Sequence, residues 1–138
     1  MARDPLAILA RVREAAATDA KRKLSAAIAD ARKAEEGVAS HARDVAREQE
    51  EALGDDVATF AAWLPAARAR ERGLADRLDA SEGQISELRR VLAARKTDAE
   101  VVVKAIERRE VEAASATARK DQDVMDEVAG RHKLDSLS

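Results

Sequence analysis

The sequence predicts an all-α protein, two long helices folded back on each other as an antiparallel, left-handed coiled-coil hairpin. Three observations predict it. Ala makes up about a quarter of the 138 residues and charged residues 38%, while there is one Phe, one Trp and no Tyr. That is the composition of long paired helices, not of a globular core filled with large aliphatic and aromatic side chains. Apolar residues recur in alternating steps of three and four along both halves of the chain, the spacing that drives left-handed supercoiling. One strong break, Leu53-Gly54-Asp55-Asp56, separates the halves.

The elements follow in order. Asp4-Pro5 is a helix start, because Asp accepts from free first-turn amides and Pro loses nothing there by lacking an N–H. Helix 1 is expected from about Pro5 to Leu53. Gly54 supplies a residue able to take the left-handed conformation that ends a helix, and the following acids can cap the next one. A bend over about 54–64 includes a short helical piece from Thr59 to Leu64. Pro65 then kinks the chain or opens helix 2, which is expected to run to about Arg131 before the C-terminus frays. The whole chain, 1–138, is expected to be one such hairpin.

The seam of helix 2 reads Phe60, Leu64, Ala67, Leu74, Leu78, Ile85, Leu88, Leu92, Ala99, Val102 and Ile106, interrupted by Glu71, Ser81 and Arg95. In helix 1 the reading is Leu24, Ile28, Ala31, Val38, Ala42, Val45 and Ala52, with Glu35 and Gln49 as polar exceptions. Before Leu24 the pattern drifts to steps of four through Ile8, Val12, Ala16 and Ala20. Pairing these stripes in antiparallel order sets Leu24 against Leu92, Ile28 against Leu88, Ala31 against Ile85, Val38 against Leu78 and Ala42 against Leu74, so that small often meets large. That register leaves the last part of helix 2 beyond the start of helix 1. Gly37, Gly73 and Gly83 lie inside helices, where they either permit close approach or are simply tolerated.

Several function classes are disfavoured. Net charge is −2 with both signs mixed throughout, whereas a nucleic-acid binder shows a basic face or block. The short basic runs Lys21-Arg22-Lys23 and Arg131-His132-Lys133 have acids nearby. Catalysis needs a concave site that a two-helix rod does not provide, so no enzymatic activity, cofactor or metal is expected. His41 and His132 lie far apart, neither with a second His or a Cys at ligand spacing. The opening Met1-Ala2-Arg3-Asp4-Pro5 lacks the apolar core of a signal peptide, and no apolar run approaches a membrane span. A soluble, cytoplasmic protein without direct membrane insertion is expected. One local feature stands out: Phe60 and Trp63, the only aromatics, fall together at the bend beside Leu64 and Pro65. Phe60 is on the seam and leans structural. Trp63 is one step off it and leans towards partner contact.

The Leu-rich opening (Leu6, Ile8, Leu9, Val12), the aromatic-bearing bend and the ending Asp123-Val124-Met125-Asp126-Glu127-Val128-Ala129-Gly130-Arg131 resemble the FliJ family of the flagellar export apparatus. The resemblance covers the whole chain in layout and is sharpest in those C-terminal residues. YscO-type proteins of injectisomes share the architecture. The resemblance implies a coiled coil similar to the γ stalk of rotary ATPases, standing in the pore of the hexameric export ATPase. It further implies contact with the membrane export gate FlhA, handling of export chaperones and a place at the cytoplasmic side of the inner-membrane apparatus. In the family an aromatic followed by Leu, Ala and His, at four, seven and eleven residues on, is tied to gate contact. Phe60, Leu64 and Ala67 match three of these positions, and Glu71 stands where His is expected. Counting back from Met-Asp-Glu favours Trp63 as the aromatic instead. Val124, Met125, Asp126, Glu127, Val128 and Arg131 are the residues implied for the ATPase ring. The alternative from another class is a scaffolding coiled coil with no ATPase partner.

Overall fold

The computed structural model describes residues 4–54 and 56–137; the expectations placed on Met1, Ala2, Arg3 and Asp55 lie outside them. Two long helices packed together, α1 (Pro5–Gly54) and α2 (Val57–Leu137), make up the described chain. α1 starts where Asp4 accepts from the Leu6 amide at 3.1 Å while its carbonyl takes the Ile8 N–H. α2 starts eight residues earlier than the sequence suggests, because Asp56 acts as a second cap. Its carboxylate accepts from the Thr59 amide at 3.1 Å and from the Thr59 hydroxyl, and its carbonyl from Phe60 N–H. The piece from Thr59 to Leu64 therefore belongs to α2, and Pro65 lies inside the helix. The missing donor leaves the Ala61 carbonyl without its helical partner, and Ala61 is exposed, so water can supply one.

Gly54 does not end α1 through a left-handed conformation, since no described glycine has positive φ. Nor does α2 stop near Arg131. It continues to Leu137, with Arg131 paired to Glu127 and the Ser136 hydroxyl donating to the Lys133 carbonyl. Nothing in this stretch forbids helix, and Gly130 without a left-handed turn is no stop signal.

Packing divides the chain into two compact units, Met1–Glu14 with Thr97–Ser138, and Ala15–Lys96. In the unit Ala15–Lys96, the least exposed positions of α2 include Phe60, Leu64, Ala67, Leu74, Leu78, Ile85, Leu88 and Leu92, as the spacing predicts. The α1 stripe differs from the expected one by one residue at every second step. Ala20, Ala27, Ala31, His41 and Ala52 are buried, with Ala17, Leu24, Ala34, Val38 and Val45 half-buried. Ala42, Glu35 and Gln49 are exposed, so they are not seam positions. Ala27, at 3% exposure, replaces Ile28 as the inner residue. This stripe keeps alternating steps of three and four with only the exposed Glu48 out of character.

The pairing shifts as well. A side-chain carbon placed on Gly37 would lie 3.5 Å from Leu74 Cδ2, ordinary van der Waals contact. The His41 imidazole reaches the Ala67 carbonyl at 2.9 Å. In this unit His41 thus lies against Ala67, and Leu74 lies against Gly37 where Ala42 was expected. The link explains the difference. With α1 ending at Gly54 and α2 starting at Val57, the turn centres several residues earlier than a bend over 54–64. Carried along this unit, the contact sets Ala34 opposite Leu78, Ala27 opposite Ile85 and Ala20 opposite Leu92. An Ala stripe receiving a Leu/Ile stripe is what close helix packing favours. Gly73 and Gly83 face open space and serve no close approach.

In the unit Met1–Glu14 with Thr97–Ser138, Val102 is buried and Leu6, Ala10, Ala99 and Ile106 are half-buried. Ile8 and Val12 are exposed, so the expected steps of four do not describe the packed face here. Arg13 pairs with Asp98 at 3.6 Å, and Arg109 donates to both carboxylate oxygens of Asp4. From Glu107 to Leu137 every described residue is exposed.

Candidate functional site

The residues expected at a gate-contact patch divide between different environments. Phe60 and Trp63 stack at a tilt, their ring centroids 5.8 Å apart and their planes at 41°. Both are half-buried, one helical turn into α2, where the Asp56 cap sets the start of the helix. They line an open groove with Glu48, Glu50, Glu51, Ala52, Gly54, Asp56 and Thr59. The Asp56 carboxyl is held below its usual range by the Thr59 hydroxyl first and the Thr59 amide second. Leu64 is half-buried, and Ala67 is buried in the seam, so its methyl offers no surface to a partner. Glu71 is exposed and lines a second groove with Val38, His41, Ala42, Val45 and Leu74.

His41 is the functional candidate that sequence reasoning set aside. It is the one buried polar residue of the described chain, at 6% exposure. Its partner is a carbonyl, which can only accept, so Nε2 carries the hydrogen and donates to Ala67. His41 of α1 and Glu71 of α2 line the same groove. A signal for it exists in the sequence: Ala20, Ala27, Ala34 and His41 repeat every seven residues.

The C-terminal residues are brought together on one exposed helix. Val124 and Val128 share a face at i,i+4 spacing, with Met125 beside them, and all three are exposed. Gln122 donates to Asp126 at 3.0 Å, and Arg131 to Glu127 at 2.7 Å. These charges therefore already have partners along the helix. Such exposed pairs add only tenths of a kcal/mol, about 0.2–0.5 each, so a binding partner could replace them at small cost. Upstream, the Arg109 guanidinium holds the Asp4 carboxyl down to about 2.

Among the described residues, no group of three or more His, Cys, Asp or Glu is placed to hold a metal ion. Among the described residues, no helix is long and apolar enough to cross a membrane. No protein family, curated protein or solved structure matches the chain.

Proposed function

We propose that this chain is a non-enzymatic, FliJ-like stalk of a type III protein export apparatus, built as an antiparallel, left-handed coiled-coil hairpin. Its C-terminal helix enters the ring of the hexameric export ATPase. Its linking end, around Phe60 and Trp63, contacts the export gate FlhA on the cytoplasmic side, and the chain also handles export chaperones. The observation that carries the reading is the helix from Glu107 to Leu137, exposed at every described position and bearing Val111, Val124, Met125 and Val128. A helix in water is stabilised mainly by packing an apolar face. One that exposes such a face over so many turns makes sense when another protein supplies the missing surface. A ring that encloses the helix does so on all sides at once.

Deleting the residues after Ala118 tests this. Every described residue that the truncation removes is exposed, so the melting temperature should stay nearly unchanged. Stimulation of the cognate export ATPase should be lost. A truncated chain that still activates the ATPase fully would refute the ring-docking reading.

A further inference from the structure

We propose that the aromatic groove at the start of α2 receives a basic segment of a partner protein, its Lys or Arg side chains lying over Phe60 and Trp63 within a rim of carboxylates. The inference rests on reading this end as a protein-contact surface, but not on the identity of the export apparatus. The apolar part is the stacked pair Phe60 and Trp63, with Ala52 on the same groove.

Charge decides which partner. From Glu48 to Ala67 the sequence holds five acids and no Lys or Arg, in a chain whose net charge is only −2. The remaining residues are therefore together net positive. Four acids elsewhere pair with a cation within one turn of their own helix: Asp19 with Lys23, Asp44 with Arg47, Glu87 with Arg90 and Glu127 with Arg131. At this groove, among the described residues, Glu48, Glu50 and Glu51 make no hydrogen bond or ion pair. The nearest preceding cation, Arg47, is turned to Asp44 at 2.8 Å. Three unpaired carboxylates around two rings attract a cation twice over, by charge and by the negative ring faces. An acidic or neutral apolar partner would meet repulsion or leave these carboxylates uncompensated.

Trp63 is the only tryptophan, so its emission reports on this groove alone. The full chain is titrated with a short amidated peptide of alternating arginine and leucine, and with its glutamate-for-arginine counterpart. The basic peptide should change Trp63 emission in a saturable way that weakens as salt is raised, and the acidic one should not. Replacing Glu48→Gln, Glu50→Gln and Glu51→Gln together should weaken binding about tenfold, the combined loss of three exposed charge contacts. Glu110→Gln with Glu112→Gln should change nothing. Equal binding by the triple variant, equal response to both peptides, or no Trp63 response would overturn the proposal. So would a concentration-dependent change in the chain alone, which would mean that a second copy occupies the groove. If the peptide binds as described while ATPase stimulation is absent, only the stalk reading falls; the reverse pattern removes only this one.

Discussion

A carboxylate at Ala27 and one at Ala42 should have very different consequences, although sequence spacing had put Ala42 on the seam and left Ala27 off it. Ala27 is 3% exposed, and Ala42 is exposed. In the Ala15–Lys96 unit the contact of Gly37 with Leu74 carries Ala27 to a place opposite Ile85. Ala27→Asp therefore sets a charge against an aliphatic side chain. Lys23, one turn back, is held by Asp19 at 3.1 Å and compensates poorly. An unpartnered buried charge costs about 3–5 kcal/mol, and exchanging Ala for Asp in a helix costs up to about 0.7 kcal/mol more. Ala42→Asp incurs only the second cost. Total stabilities are about 5–15 kcal/mol, so the first variant should lose a large share of its stability and the second almost none. Urea unfolding followed by far-UV circular dichroism measures both against the parent chain. Equal midpoints, or a larger loss for Ala42→Asp, would refute the packing phase assigned to α1.

Two further outcomes follow from individual contacts. His41→Leu should cost less than about 1 kcal/mol, because the Ala67 carbonyl keeps its own helical hydrogen bond and leucine fills the site. His41→Ala should cost about 2–3 kcal/mol through lost packing as well; urea midpoints in the opposite order would refute this account. Asp4, lowered from 3.8 to about 2 chiefly by the hydrogen bond from Arg109, contributes stability that is present above 3.8 and lost as pH falls through about 2. The parent chain should melt above Asp4→Asn at neutral pH and converge with it across that window, followed by thermal circular dichroism; a gap unchanged down to pH about 2 would contradict the linkage.

The candidate surfaces were partly legible. The pairing of Phe60 with Trp63 and the exposed C-terminal valines could be expected from sequence neighbours alone, because residues three and four apart on a helix meet without tertiary help. Ala67 could not be separated from the contact patch, since an apolar residue on the seam register reads the same whether a partner or the other helix covers it. His41 was missed because a polar side chain is read as surface by default, and only its carbonyl partner on α2 shows why it is inside. The unpaired state of Glu48, Glu50 and Glu51 was implicit in the missing cations, but the groove that gathers them around the rings appears only in three dimensions.

Local chemistry by itself determined that this chain is helical, where α1 starts, and which stripe of α2 is packed. Asp4-Pro5 is a self-contained cap, and the large residues of α2 from Phe60 to Ile106 occupy one stripe at high contrast with their charged neighbours. Only the tertiary structure decided the phase of α1 and its pairing. In an Ala-rich helix nearly every face carries methyl groups, so Ala27 and Ile28, or His41 and Ala42, are not told apart by periodicity. The choice between them is made across the interface, by Leu74 against Gly37 and by the Ala67 carbonyl against His41. The length of the link also belongs to that level. Asp56 takes up the Thr59 and Phe60 donors and starts α2 at once, which moves the whole pairing of α1 with α2 by several residues.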